Sequence, residues 1–125
     1  MRKIGIVSVL LLVIGCTSTA YLPENIQSPC DKGTPNGVAC IDPGTLNPTT
    51  NPVHSGNGQI FNAFLGSSRN DEIEITSEAF AWHKRKGSHA WAQLRNDLEV
   101  GKTYKYTIRD LTTQKVNDPD ILIDY

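Results

Sequence analysis

The chain holds few residues of the types that do chemistry, and their spacing narrows what they can do. Its three histidines are His54, His83 and His89. His83 and His89 flank a basic stretch and could face each other across a hairpin, but no third ligand stands at a spacing suited to zinc. They read as solvated side chains. Asp118, Asp120 and Asp124 recur near the C-terminus, where carboxylates could gather around calcium. Pro119, between the first two, suits a terminating turn at least as well. There is no nucleophile elbow, phosphate-cradling loop or zinc signature. The expectation is therefore no metal, no cofactor and no catalytic residues, in a chain too short for an elaborate pocket: not an enzyme.

The side chains better suited to recognition are Trp82 and Trp91, because sugar faces stack on aromatic rings. In a small domain, however, two tryptophans most often form the core itself. Beside them, Lys84, Arg85 and Lys86 precede Gly87 and Ser88, and the five read together as a turn with a solvated basic tip. Contact with an anion or a lipid headgroup is the sharper alternative.

Before any of these can act, the chain must be delivered and folded. Arg2 and Lys3 form a positive start, and residues 4–14 are an apolar run interrupted only by Gly5 and Ser8. A run of about eleven residues suits a secretory signal peptide and is too short to span a bilayer. It ends in Val13-Ile14-Gly15-Cys16, which resembles the bacterial lipobox. The resemblance implies cleavage behind Gly15, a diacylglycerol thioether on Cys16, and a protein anchored to a membrane by its lipid. Thr17, rather than Asp, after that cysteine is compatible with sorting to the cell outer membrane, with the domain facing the periplasm.

Removing fifteen residues from 125 leaves 110, room for one small domain. The formal charge of −1 includes Arg2 and Lys3, so the remaining side chains sum to −3 and give no reason to expect nucleic acid. In an exported chain the two other cysteines, Cys30 and Cys40, form an even pair, and a structural disulfide is expected. The short loop between them carries Gly33, Pro35 and Gly37, which suit a tight reversal.

From residue 17 to about 58 there is little periodicity, and five of the seven prolines lie between Pro29 and Pro52. The stretch DPGTLNPTTNP cannot form a regular helix, since each proline fixes φ and removes a donor. The organisation expected is a signal peptide over 1–15, a disordered Pro-rich tether with one disulfide knot over 16–58, and a β domain over 59–125. Ile73 and Ile75 alternate with Glu74 and Thr76 as in a half-buried strand. Phe80 and Trp82 carry the apolar side on even positions, so a bulge is expected near Ser77. HAWAQL fits either a helix capped by Ser88 or a strand. Tyr104, Tyr106 and Ile108, then Ile121, Leu122 and Ile123, add further strands. About five strands at short spacing give the expected fold class: all-β, a small immunoglobulin-like β-sandwich or barrel.

LEVGKTYKYTI resembles the corner leading into a late strand of immunoglobulin-like sandwiches, with Leu98, Gly101 and Tyr104 as the inward leucine, the turning glycine and the closing tyrosine. The run from Trp91 through GKTYKYTI to VNDPDILID is also similar to starch-binding, isoamylase-type N-terminal modules. This covers about thirty-five residues and implies Trp82 and Trp91 as sugar platforms. Three functions are thus in view. The first is a lipid-anchored envelope protein whose β domain makes protein contacts in an envelope or secretion-type assembly. The second is a surface glycan-binding module. The third is a small hydrolase inhibitor, which needs a protruding loop at Lys84 to Ser88.

Overall fold

The computed structural model describes residues 30, 36–66 and 71–125. The stretch expected to be a signal peptide, the lipobox-like Val13–Cys16 and the expected lipidation at Cys16 lie outside the described residues. Within them the protein is all-β, with ten strands and no helix. They run β1 (Val38–Ile41), β2 (Val53–Ser55), β3 (Ile60–Leu65), β4 (Ile73–Thr76), β5 (Phe80–Lys86), β6 (His89–Leu94), β7 (Thr103–Lys105), β8 (Thr107–Asp110), β9 (Val116–Asn117) and β10 (Asp120–Ile123). Three sheets result, in the orders β1-β3-β6-β5, β2-β10-β7 and β4-β8-β9.

Alternation explains the central strands. In β3, Phe61, Ala63 and Leu65 face the main core, and in β6, Ala90, Ala92 and Leu94 do the same. HAWAQL is therefore a strand. The facing strands supply Ile73, Ile75, Ile108, Ile121 and Ile123, all at most 1% exposed. Small alanines at 39, 63, 90 and 92 leave space for three rings. Phe61 meets Tyr106 edge-on at 5.0 Å and Phe80 at 6.0 Å.

The tether expected over 16–58 is corrected for its second half. β1 runs parallel to β3, pairing Val38 with Asn62 through Ile41 with Leu65. β2 runs parallel to β10. Between them the proline-rich stretch is a packed loop. The Asp42 carboxylate accepts hydrogen bonds from the N–H groups of Gly44 and Thr45 and from the Thr45 hydroxyl. That turn sends Leu46, at φ 61°, into the core with no exposed surface. The Asn117 amide then donates to the Leu46 carbonyl at 2.9 Å. Prolines excluded helix here, but they did not exclude burial.

The bulge expected at Ser77 is also displaced. The chain leaves one sheet for another at that point: β4 pairs with β8, whereas β5 pairs with β6. The Ser77 hydroxyl donates to the Lys105 carbonyl at 2.6 Å and accepts the Ala79 N–H at 3.0 Å, which holds the corner. The register shift itself lies between Phe80 and Trp82.

At the opposite corner Leu98 is buried, Gly101 has φ +88°, and the Tyr104 hydroxyl accepts the Glu99 N–H at 2.9 Å. The positive φ favours glycine at 101. Tyr104→Phe leaves the Glu99 amide without that acceptor and should cost about 0.5–1.5 kcal/mol, read as a lower urea midpoint at unchanged m-value. No change would mean that water replaces the hydroxyl.

The β8–β9 turn is organised by Asp110, whose side chain is fully buried. One carboxylate oxygen accepts the N–H groups of Thr112 and Thr113 at 2.8 and 3.1 Å. Burial pushes this carboxyl up, but hydrogen bonds from the Asp71 side chain and from the Thr113 and Thr112 backbone outweigh it and hold the pKa below the ordinary 3.8. Asp110→Ala should cost about 1–3 kcal/mol at neutral pH, because it strands two donors. A carboxyl with a depressed folded-state pKa stabilises fully above its ordinary pKa and ceases to do so as the pH falls through the folded value. The gap between wild type and Asp110→Ala should therefore narrow below about pH 4 in a series of melts; a pH-independent gap would refute the assignment.

Candidate functional site

Alternation along the four-stranded sheet gives it a second face, turned away from the main core. β1 contributes Val38 and Cys40, β3 Asn62 and Phe64, β6 His89, Trp91 and Gln93, and β5 Trp82, Lys84 and Lys86; the pairings Phe64 with His89, Lys84 with Trp91 and Lys86 with His89 fix their order. Four of the five recognition residues singled out in the sequence thus lie on one surface or at its rim.

The Cys30–Cys40 disulfide is present, with Cα atoms 5.8 Å apart. Cys30 packs against a separate apolar cluster of Val38, Cys40 and Phe64. The Phe64 ring stacks nearly parallel on His89, at 4.3 Å and 4°, and His89 stacks in turn on Trp91 at 5.0 Å. The His89 Nε2 lies 2.9 Å from the Asn62 Oδ1, so Nε2 carries the proton and donates. Burial pushes the His89 pKa down to about 4, and the ring is neutral at ordinary pH. His89 was expected to be solvated, and a hairpin could have set it facing His83. Instead it is buried at 8% exposure and pairs with Lys86, while His83 pairs with Ala92. One signal was available: His89 shares the strand parity of Trp91.

The two tryptophans part company. Trp91 is only 8% exposed, so a ligand platform there is closed off. Trp82 is half-buried on β5, with its indole N–H donating to Gln93 Oε1 at 2.9 Å and the Lys84 ammonium 5.4 Å above its ring. Gln93 donates onward to the Gly58 carbonyl. Gly58, Ala81 and Gln93 also border a cleft of about 270 Å³ that reaches Arg95, Asn96 and Asp97. There the Arg95 guanidinium grips the Asp97 carboxylate with bonds of 2.9 and 2.6 Å.

The basic trio was expected in a turn, but the structure places Lys84, Arg85 and Lys86 within β5. Only Gly87 and Ser88 make the turn, with Gly87 at φ +59°. A single positive φ at the first of two turn residues suits a tight hairpin, in which glycine is favoured. The stretch from Lys84 to Ser88, the loop that a hydrolase inhibitor was expected to use, is therefore strand and tight turn rather than a protruding loop. Arg85 is held by Glu72 at 2.9 Å, and the Lys84 and Lys86 side chains are exposed.

The remaining chemical candidates are dispersed. His54 Nδ1 lies 2.9 Å from an Asp124 carboxylate oxygen. Asp118 accepts from the Thr107 hydroxyl, and Asp120 lies 3.2 Å from the Lys105 ammonium. The three aspartates thus serve separate partners, and no group of three metal-ligating side chains comes together among the described residues. What is assembled on the outer face of the four-stranded sheet is a buried aromatic stack of Phe64, His89 and Trp91 bordered along β5 by the half-buried Trp82 and the exposed Lys84 and Lys86. No family model, curated protein or solved structure matches the chain.

Proposed function

We propose that the protein is a lipid-anchored component of the cell envelope whose β domain docks a protein partner along β5. The observation that carries this reading is the exposed seven-residue strand β5, which pairs only with β6 among the described residues and carries Lys84 and Lys86 on one side. A strand at a sheet edge offers backbone hydrogen bonds to an added strand, and charged side chains there select what is admitted. The basic side chains favour an acidic partner segment. The anchor rests on the lipobox resemblance at Cys16.

The test is affinity capture and cross-linking from detergent-solubilised envelopes with the intact protein, a Cys16→Ala control and a Lys84→Glu/Lys86→Glu variant. A stoichiometric partner retained by the first and lost by the charge reversal supports the reading. Capture unaffected by the reversal would move the contact away from β5.

Trp82 beside the cleft favours a second reading, binding of a surface glycan. A sugar stacking on this ring must displace Lys84 and could reach the amides of Gln93 and Asn96. Titration with α-glucans should then change tryptophan emission, and a flat response at high glycan concentration would count against it.

A further inference from the structure

In an antiparallel sheet, an inner strand bonds to its two neighbours through alternate residues. Beside β6 the Ser88 carbonyl accepts from the Leu65 N–H, and at its end the Leu94 N–H donates to Gln59. The even residues of this stretch therefore serve β3. His89, Trp91 and Gln93 bond instead to Lys86, Lys84 and Trp82, their partners on β5. The N–H and C=O groups of His83 and Arg85 are thus turned out of the sheet edge, and no described backbone group bonds to them.

That edge is clear of the opposite sheet. His83 and Arg85 pair with Ala92 and Ala90, core residues with no exposed surface, yet both are exposed themselves. β5 therefore overhangs the core. The open stretch has definite ends. The Gly87 carbonyl accepts the Ile73 N–H at 3.0 Å, and the extra residue Ala81 breaks the register on the far side of Trp82.

Resting on the reading that a partner docks along β5, we infer that it is an acidic, extended segment of another protein added antiparallel to this strand. Its backbone bonds to His83 and Arg85, a carboxylate lies opposite Lys84, and an aromatic ring lies opposite Trp82. Antiparallel pairing is slightly the more stable per residue. Lys84 and Trp82 alternate with the bonded positions, and there cross-strand side chains approach most closely. Lys84 is exposed with its ammonium 5.4 Å above the Trp82 ring, so an acid and an aromatic residue two positions apart meet both. Arg85 already has the Glu72 carboxylate at 2.9 Å and asks for no further charge. A second copy of the chain is a poor occupant. Two β5 strands laid antiparallel would oppose Lys84, Arg85 and Lys86 to one another, and like charges directly opposite are destabilising.

The probe is the blocked peptide Glu-Thr-Glu-Thr-Tyr, titrated into the isotope-labelled full chain in detergent. Its threonines meet Arg85 and His83, its second glutamate Lys84 and its tyrosine Trp82. Binding should shift the His83 and Arg85 amide resonances and slow their hydrogen exchange several-fold. Methylating both threonine nitrogens keeps every charge but removes the ladder donors, and should weaken binding by about tenfold or more. His83→Pro, at an edge position whose N–H faces away from β6, should retain the far-UV circular dichroism and abolish binding. Equal binding by the methylated peptide, shifts that map away from β5, or no binding at all overturns the ladder. Failure of the docking itself reads differently. An envelope partner released by Lys84→Glu/Lys86→Glu but kept by His83→Pro leaves docking intact and overturns the ladder alone. One kept by both variants overturns docking and ladder together.

Discussion

Phe61→Ala is expected to lower the unfolding free energy by about 3–5 kcal/mol, the range for deleting a large buried aromatic ring. Phe61 has no exposed surface and is the second residue of β3. Its ring joins the four-stranded sheet to Tyr106 beyond β7 and to Phe80 on β5. Around it stand Ala63, Ala90 and Ala92, whose methyl groups cannot swing into the space left behind. The cavity would persist, and the cavity term would add to the lost transfer energy. Small domains commonly have only about 5–15 kcal/mol to lose, so this variant should sit close to its unfolding threshold. Urea unfolding, followed in parallel by far-UV circular dichroism and tryptophan emission, is the measurement. A loss under about 1 kcal/mol would mean that the ring is not shared between the sheets.

Removing the disulfide with Cys30→Ala/Cys40→Ala should cost roughly 3 kcal/mol, the chain-entropy value for closing a loop with a sequence separation of 10. Here the bond does more than shorten the unfolded chain. Cys40 is 7% exposed within the apolar cluster of the outer face, and Cys30 is packed against that cluster. Cutting the bond should therefore also uncover the aromatic stack. The signature that separates the two effects is local: Trp91 quenching should rise under native conditions, well before global unfolding. A double variant that melts with the parent and leaves Trp91 protected would show that β1 holds its place through its pairing with β3 alone.

The comparison of strands with sequence is instructive where it departs from alternation. β3, β4 and β6 are long enough to show a period of two, and Ile73–Thr76 emerges with the bounds that the alternation suggests. β2, β7 and β9 span three, three and two residues, too short for any pattern to register. About five strands were expected because only about five carry a local signal. The exposed side chains of β5 illustrate a different difficulty. Lys84, Arg85 and Lys86 look like a solvated tip, but their neighbours across the ladder, Trp91, Ala90 and His89, keep them in extended backbone. Exposure was legible; conformation was not.

The outer face of the four-stranded sheet was legible in its parts and not in its assembly. Trp82 and Trp91 stand out by residue type alone. Which of them is open depends on what covers β6, and that is a property of chain segments far apart in sequence.

By itself the sequence determined an all-β domain, because alternating apolar residues of high β propensity can bury one side only as strands. It suggested the cysteine pair as well, since two thiols ten residues apart, behind a start that reads as a secretory signal, are expected to join. Only the tertiary structure decided that the domain begins before β1 rather than after residue 58. The parallel pairings of β1 with β3 and β2 with β10 join segments across intervals of 24 and 68 residues, as Val38 to Asn62 and Val53 to Ile121 show. No local pattern encodes such partners. They are chosen by the net burial that the whole chain achieves, and Leu46, Val53 and Ile121 are buried together only once it has folded.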